Sequence, residues 1–429
     1  MTTLPLSLTV QSLANAMLAK PGLRSIFHLQ IAIIMGELET ALRAATDYEI
    51  VIDKSGSTGS IVPGGAVSIL DTTKEACQAI LDLLDPNDRL GVTAFSSSPE
   101  HVIELTKCDG RGKTQISNAV WNIPCGGGTA FAPALDEALK QLSYSEPGRK
   151  KVVILFTDGE DGGPNPIAQC EALKNAGITL YVGGLGLNNQ GEKLLEAMGG
   201  VNFKSLNDAS EVSAFFAGAQ AQAASAVVTN AQLRIVPVNF ATVTNFELVT
   251  RGGVPNYVPA DVTNKVVPLG DISVSDNQQA YLGMQVILPE NIQAGRRSFG
   301  KIELIGDVPS DGRKGEVLAA VPIAVPFSAT PIPGMNDQVK DMINVAATSR
   351  ELYKAGQAGN TADMQAHLAN ARKTVAFSQS AVAAALAAQI SQINNTAAAD
   401  PEAAQKQARR ATKGFSAVDA AAALANLKK

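Results

Sequence analysis

Lys151-Val152-Val153-Ile154-Leu155-Phe156-Thr157-Asp158-Gly159-Glu160 is the stretch on which the fold turns. Five consecutive large apolar residues, Val152 to Phe156, end in a hydroxyl, an acid and a glycine. An apolar run without alternation, this short and this rich in β-branched residues, reads as a central parallel strand covered on both faces. Parallel neighbours need crossover helices, so the flanking sequence should alternate strand and helix.

It does so from Tyr48 to about Ala224. Upstream, Tyr48-Glu-Ile-Val-Ile-Asp53 is a short apolar strand, and Ala66 to Leu84 is amphipathic at helical spacing. Arg89 to Phe95 and His101 to Leu105 read as a strand pair joined as a hairpin. A helix is predicted over Phe131 to Leu142. Downstream come a helix over Ile167 to Ala176, a buried strand over Thr179 to Gly183 and a helix over Glu192 to Met198. A short strand at Asn202-Phe203 and a helix over Ala209 to Ala224 follow. The expected fold class is α/β, a doubly wound and mostly parallel sheet over residues 46–224.

Outside that block the grammar changes. Residues 1–45 are expected to form a helical extension of two helices divided at Pro21-Gly22. Ile26, Leu29, Ile33, Leu38 and Leu42 of the second recur at helical spacing. Residues 225–330 carry six candidate strands separated by turn residues such as Gly252-Gly253 and Ser310-Asp311-Gly312, which suggests a β-sandwich. Residues 331–429 read as a helical C-terminal region. Asn360 with Asp363, and Asp400-Pro401-Glu402, look like helix starts. The Ala-rich stretch from Ala381 to Ala423 suits close helix packing.

Bulk composition narrows the function. The chain has 429 residues, a formal charge of −5, 45% apolar, 5% aromatic and 17% charged residues. That balance argues against nucleic acid as a partner. No run approaches the roughly 18 apolar residues of a membrane span, and no leader pattern opens the chain. A cytoplasmic location is therefore expected. Cys77, Cys108, Cys125 and Cys170 lack zinc-site spacing and read as free thiols.

Three separated pieces carry the chemistry. Asp53-Lys54-Ser55-Gly56-Ser57 follows a predicted strand, Gly126-Gly127-Gly128-Thr129 precedes a helix, and Thr157-Asp158-Gly159-Glu160 ends the strongest strand. In a doubly wound sheet all three fall at the carboxyl ends of the strands, where ligand sites form. Asp53, Ser55, Ser57, Thr129 and Asp158 supply only oxygen, the donor set of a hard cation, Mg²⁺ or alternatively Mn²⁺ or Ca²⁺. Hydroxyl-rich ligation leaves such an ion short of negative charge, so a partner's Asp or Glu can complete it. Glu160 and Asp161 adjoin the site. No base or nucleophile accompanies these residues. His28, His101 and His367 are dispersed, so catalysis is not expected. Gly183-Gly-Leu-Gly186 lacks the full dinucleotide fingerprint.

These pieces resemble the metal-ion-dependent adhesion site of von Willebrand factor A (VWA) domains. Asp53, Ser55 and Ser57 match that family's Asp-x-Ser-x-Ser motif, Thr129 its second-loop threonine and Asp158 its third-loop aspartate. The stretches Pro86 to Phe95 and Val152 to Glu160 are similar too. The resemblance covers roughly residues 46 to 224. More weakly, the remainder is similar to bacterial members related to calcium-activated chloride channel-type proteins. The resemblance implies a metal-dependent protein-binding module. Two alternatives stand beside it: a self-assembling scaffold, a homo-oligomer through its helical regions, or an accessory subunit of an ATPase machine. The chain has no Walker A motif of its own.

Overall fold

A computed structural model describes residues 4–412, apart from short segments at 15–16, 21, 23, 37–43, 62–65, 160–161, 207, 253, 262, 275 and 331–333. The chain opens with three strands, β1 (Leu6–Ser12), β2 (Met17–Leu18) and β3 (Arg24–Met35). This corrects the helical extension expected over residues 1–45. The helical spacing of Ile26, Leu29 and Ile33 is coincidental. The buried set is Phe27, Leu29, Ile31, Ile33 and Met35, every second residue, while Ile26 and Ile34 face out. That is the period of a half-buried strand. Leu38 and Leu42 lie outside the described residues.

The α/β unit is inserted after β3. Its elements are β4 (Thr46–Asp53), α1 (Ile69–Leu83), β5 (Arg89–Phe95), β6 (Pro99–Lys107), α2 (Gly110–Trp121), α3 (Phe131–Leu142), β7 (Lys150–Thr157), α4 (Ile167–Asn175), β8 (Ile178–Leu185), α5 (Asn189–Gly199), β9 (Phe203–Leu206) and α6 (Ala209–Ser225). The sheet order is β6-β5-β4-β7-β8-β9, with only the β5–β6 hairpin antiparallel. Along β7, Val152, Ile154 and Phe156 join the core beneath α1, α2 and α6. Val153 and Leu155 join the core beneath α3, α4 and α5. Both faces are covered, which accounts for the unbroken apolar run.

The chain then returns to the sandwich through β10 (Ala226–Pro237), β11 (Ala241–Arg251), β12 (Val254–Pro259), β13 (Val266–Ser273), β14 (Asn277–Ile287), β15 (Gly295–Val308) and β16 (Arg313–Ser328). The two facing sheets run β1-β3-β14-β11-β12 and β13-β10-β15-β16-β2. Strand β3 sits inside the first sheet, paired with β1 and β14, so the segment before the α/β unit is part of the sandwich core.

Among the described residues four helices follow: α7 (Asp337–Gln357), α8 (Thr361–Val375), α9 (Ala381–Ala397) and α10 (Pro401–Ala411). The expected caps form. Asn360 Oδ1 accepts from the Asp363 amide at 2.9 Å, and Asp400 Oδ1 from the Ala403 amide at 3.0 Å. The bundle packs on the sandwich through Val249 and Tyr281, with Arg350 paired to Glu247. It also reaches the α/β unit. Arg409 of α10 is buried against Glu192 of α5 at 2.5 Å, and also donates to Asn189 Oδ1 and the Gly356 carbonyl. Residues 413–429, which include the end of the Ala-rich stretch, lie outside the described residues.

Candidate metal centre

Strands β4 and β7 are adjacent and parallel, so their last residues emerge side by side. Asp53 closes β4 and Thr157 closes β7. The Ser55 amide donates to Asp53 Oδ1 at 2.8 Å, and the Thr157 hydroxyl donates to Asp53 Oδ2 at 2.5 Å. Both carboxylate oxygens are thus oriented by the protein. Thr157 in turn accepts from the Gly159 amide at 3.0 Å. Sequence reading gave Thr157 no role. The available signal was its place as the last strand residue, directly before Asp158.

A 3₁₀ turn over Gly56–Gly59 follows Asp53 and turns Ser55 and Ser57 back over the strand ends. Their hydroxyl oxygens are 3.1 Å apart, and Ser57 Oγ donates to Asp158 Oδ1 at 3.0 Å. Thr129, just before α3, comes to the same place. A methyl group placed on Gly159 would lie 3.2 Å from Thr129 Oγ1 and 3.7 Å from both Asp53 Oδ2 and Ser57 Oγ. Asp53, Ser57 and Thr129 therefore border one small volume, and Ser55 and Asp158 adjoin it through Ser57. Glu160 and Asp161 lie outside the described residues.

The glycines of the second loop hold the loops together. The Gly56 amide donates to Gly127 O at 3.0 Å, and the Gly126 amide to Lys54 O at 2.7 Å. Gly127 has φ +99°, and a Cβ there would stand 2.7 Å from the Ser96 side chain. Cys125 packs its thiol on the Ser55 carbonyl, 3.3 Å away. Cys108 is buried beside Asp88 at the opposite edge of the sheet, so these two cysteines do not meet.

Electrostatics favour a cation. Asp53 is 2% exposed; burial raises its pKa, opposed by the Thr157 and Ser55 hydrogen bonds. Burial, then the Asp53 charge, pushes Asp158 up to about 6. Lys54 is already paired with Glu100. The hydroxyl and carboxylate spacings of 3.0 and 3.1 Å match the roughly 3 Å edge of an octahedron with metal–oxygen bonds of about 2.1 Å. Ser57 is exposed while Asp158 and Thr129 are half-buried, so the volume opens to solvent. Among the described residues no group of three or more His, Cys, Asp or Glu could hold a metal. With two carboxylates and three hydroxyls, the donor set suits a hard ion bound largely by hydroxyls.

Other sequence features resolve as structure. A Cβ on Gly183 would meet Phe215 at 2.6 Å, and one on Gly184 would meet Leu187 at 2.4 Å, so these glycines serve helix packing. His28 pairs with Tyr281 in the sandwich, His367 with Glu351 in the bundle, and His101 is exposed on β6. No helix among the described residues is long and apolar enough to cross a membrane.

The sequence profile of the von Willebrand factor type A domain matches residues 49–227. An uncharacterized protein of Synechocystis sp. is 24% identical over 335 residues, spanning 75% of this chain and 76% of that protein. A von Willebrand factor type A structure from Catenulispora acidiphila superposes with TM-score 0.69 at 17% identity, covering 96% of this chain and 97% of its own. The ArnB paralog VWA2 of Sulfolobus acidocaldarius gives TM-score 0.61 at 14% identity, covering 95% and 98%. The α/β unit is a VWA domain, and the three-part fold of the whole chain is shared with these two structures.

Proposed function

We propose that the VWA domain is a metal-dependent protein-binding module in which Asp53, Ser55, Ser57, Thr129 and Asp158 hold one divalent cation, Mg²⁺ first among candidates. VWA domains are in general protein-interaction modules. The observation that carries the reading is the convergence of Asp53, Ser57 and Thr129 on the volume above Gly159, open at Ser57, with Ser55 and Asp158 in hydrogen-bond contact with Ser57. The bound cation would supply a Lewis-acidic position for an anionic oxygen, such as a partner's Asp or Glu. The chain's own groups do the rest. Thr157 and the Ser55 amide fix Asp53, Gly126 and Gly127 fix the second loop, and Asp158 restrains Ser57.

Binding is favoured over catalysis because the histidines are occupied or placed elsewhere: His28 and His367 are engaged in the other domains, and His101 is exposed on β6. It is favoured over self-assembly because the apolar faces of α7–α10 are occupied by one another and by the sandwich. Titrating the full chain with Mn²⁺, read by electron paramagnetic resonance, tests the reading alongside Asp53→Ala and Thr129→Ala. One ion bound by the parent chain, displaced by Mg²⁺ and lost in both variants, is expected. Equal binding by all three proteins overturns it.

A further inference from the structure

A second site lies where the VWA domain meets the sandwich. A cavity of about 290 Å³ opens there, near the roughly 300 Å³ lower end of small-molecule sites, which favour domain seams. Its walls come from both units: Ile167, Leu180, Met198 and Val201 from the VWA side, Pro268 and Gly270 from strand β13. Most of that lining is apolar.

One polar group inside it has an unmet requirement. Asn202 is 6% exposed, and its Oδ1 is buried without a hydrogen-bond partner. Its Nδ2 donates to the Leu180 carbonyl at 3.3 Å, which fixes the amide's orientation, since reversing it would set oxygen against oxygen. Buried acceptors are almost always satisfied, so an orphan in a cavity wall calls for a partner. Gly270, at φ +76°, lets this wall approach closely: a Cβ there would stand 2.6 Å from Val201 Cγ2 and 3.4 Å from Asn202 Oδ1.

The other buried polar groups of the wall are already served. Asp271 Oδ1 accepts from Thr179 Oγ1 at 3.0 Å and from the Asn230 amide at 3.3 Å, and Asp271 Oδ2 accepts from the Tyr181 hydroxyl at 3.2 Å. Glu171 and Lys174, the other charged residues of the lining, are exposed at its mouth, so no charge is called for inside. We infer that this seam binds a compact, uncharged, mainly apolar molecule carrying one hydrogen-bond donor, which is received by Asn202 Oδ1. Such a ligand would contact both units at once, at a site separate from the metal centre and independent of it.

Indole and 1-methylindole are suitable probes, because both are flat and apolar and only indole has the N–H. Titration of the full chain by calorimetry or ligand-observed NMR is expected to show saturable one-to-one indole binding, with 1-methylindole about tenfold weaker. Cys170→Phe, on the wall from α4, is expected to block both. Asn202→Leu is expected to bring the two probes to equal affinity. Absence of saturable indole binding, equal affinities in the parent chain, or indole binding untouched by Cys170→Phe each overturns the inference. The parent-chain comparison decides the matter even if a variant does not fold.

Discussion

Thr157 donates its hydroxyl to Asp53 Oδ2 at 2.5 Å, joining the ends of two neighbouring parallel strands. The bond is buried, with Thr157 fully covered and Asp53 nearly so. It leaves Asp53 unable to swing, so the carboxylate presents a fixed face to the volume that Ser57 and Thr129 also border. Groups that orient metal ligands from behind typically change metal affinity 10–100-fold when removed. Thr157→Val keeps the shape and deletes the hydroxyl. Mn²⁺ affinity should fall about tenfold or more while circular dichroism stays unchanged. An unaltered affinity would show that Asp53 is held well enough by the Ser55 amide alone.

The second loop offers a backbone counterpart. Gly127→Ala asks a residue with a Cβ to adopt φ +99° and to occupy space 2.7 Å from Ser96. The loop must shift, and with it the Gly127 carbonyl that receives the Gly56 amide and the position of Thr129. Strain of this kind costs of order 1–3 kcal/mol. Weaker Mn²⁺ binding is expected, with a melting temperature lowered by only a few degrees. Gly148→Ala, at φ +84° with open space around it, is the control for backbone strain away from the site and should leave Mn²⁺ affinity intact.

Much of the VWA domain could be read directly because its signals are local. Val152 to Phe156 announces a doubly covered strand, and α3 was placed over Phe131–Leu142 from periodicity. The misses have physical causes. Helix α2 buries only Gly112, Ile116 and Val120, too sparse a stripe to register, and starts at a glycine. Strand β12 contains Pro255 and Pro259, which weaken a strand signal. The N-terminal strands failed for a different reason. Ile26 and Ile34 are apolar yet exposed, so they add false members to a helical pattern, and β3 is stabilised by β14, about 250 residues away in sequence. Pairing of that range leaves no local trace. The five candidate residues are legible by type and order; Thr157 is not, because only the fold shows that it faces Asp53.

Glu192 and Arg409 form a buried tie between the VWA domain and the helical bundle, at 1% and 2% exposure. Arg409→Met would leave Glu192 buried with only the Arg410 guanidinium, whose Nε is 3.5 Å away. Breaking one side of a buried pair costs about 3–5 kcal/mol, whereas replacing both by apolar groups can be neutral. Urea unfolding should therefore show a large loss for Arg409→Met and partial recovery in Glu192→Leu/Arg409→Met. Additive losses in the double variant would mean that the two residues are not energetically coupled.

Glu49 gives the sharpest pH signature. It lies mid-strand in β4, fully buried, with Thr93 donating to Oε1 at 2.7 Å and Oε2 without a partner. Room for it exists because residue 91 is glycine; a Cβ there would come within 2.2 Å of Oε2. Burial pushes its pKa up to about 8 from an ordinary 4.5. The folded state therefore holds a proton that the unfolded chain releases. Its contribution is fully present below about pH 4.5, declines as pH rises, and is lost by about pH 8, with a slope of up to about 1.4 kcal/mol per pH unit. Glu49→Gln removes the titration while keeping the shape. The stability difference between Glu49→Gln and the parent should grow in favour of the variant from pH 5 to pH 8 and then level off. Acid-labile pairs such as Asp47 with Arg89 and Arg149 are common to both proteins and cancel in that difference. A difference that stays constant across this range would mean that Glu49 is ionised in the folded protein, its charge held by Thr93.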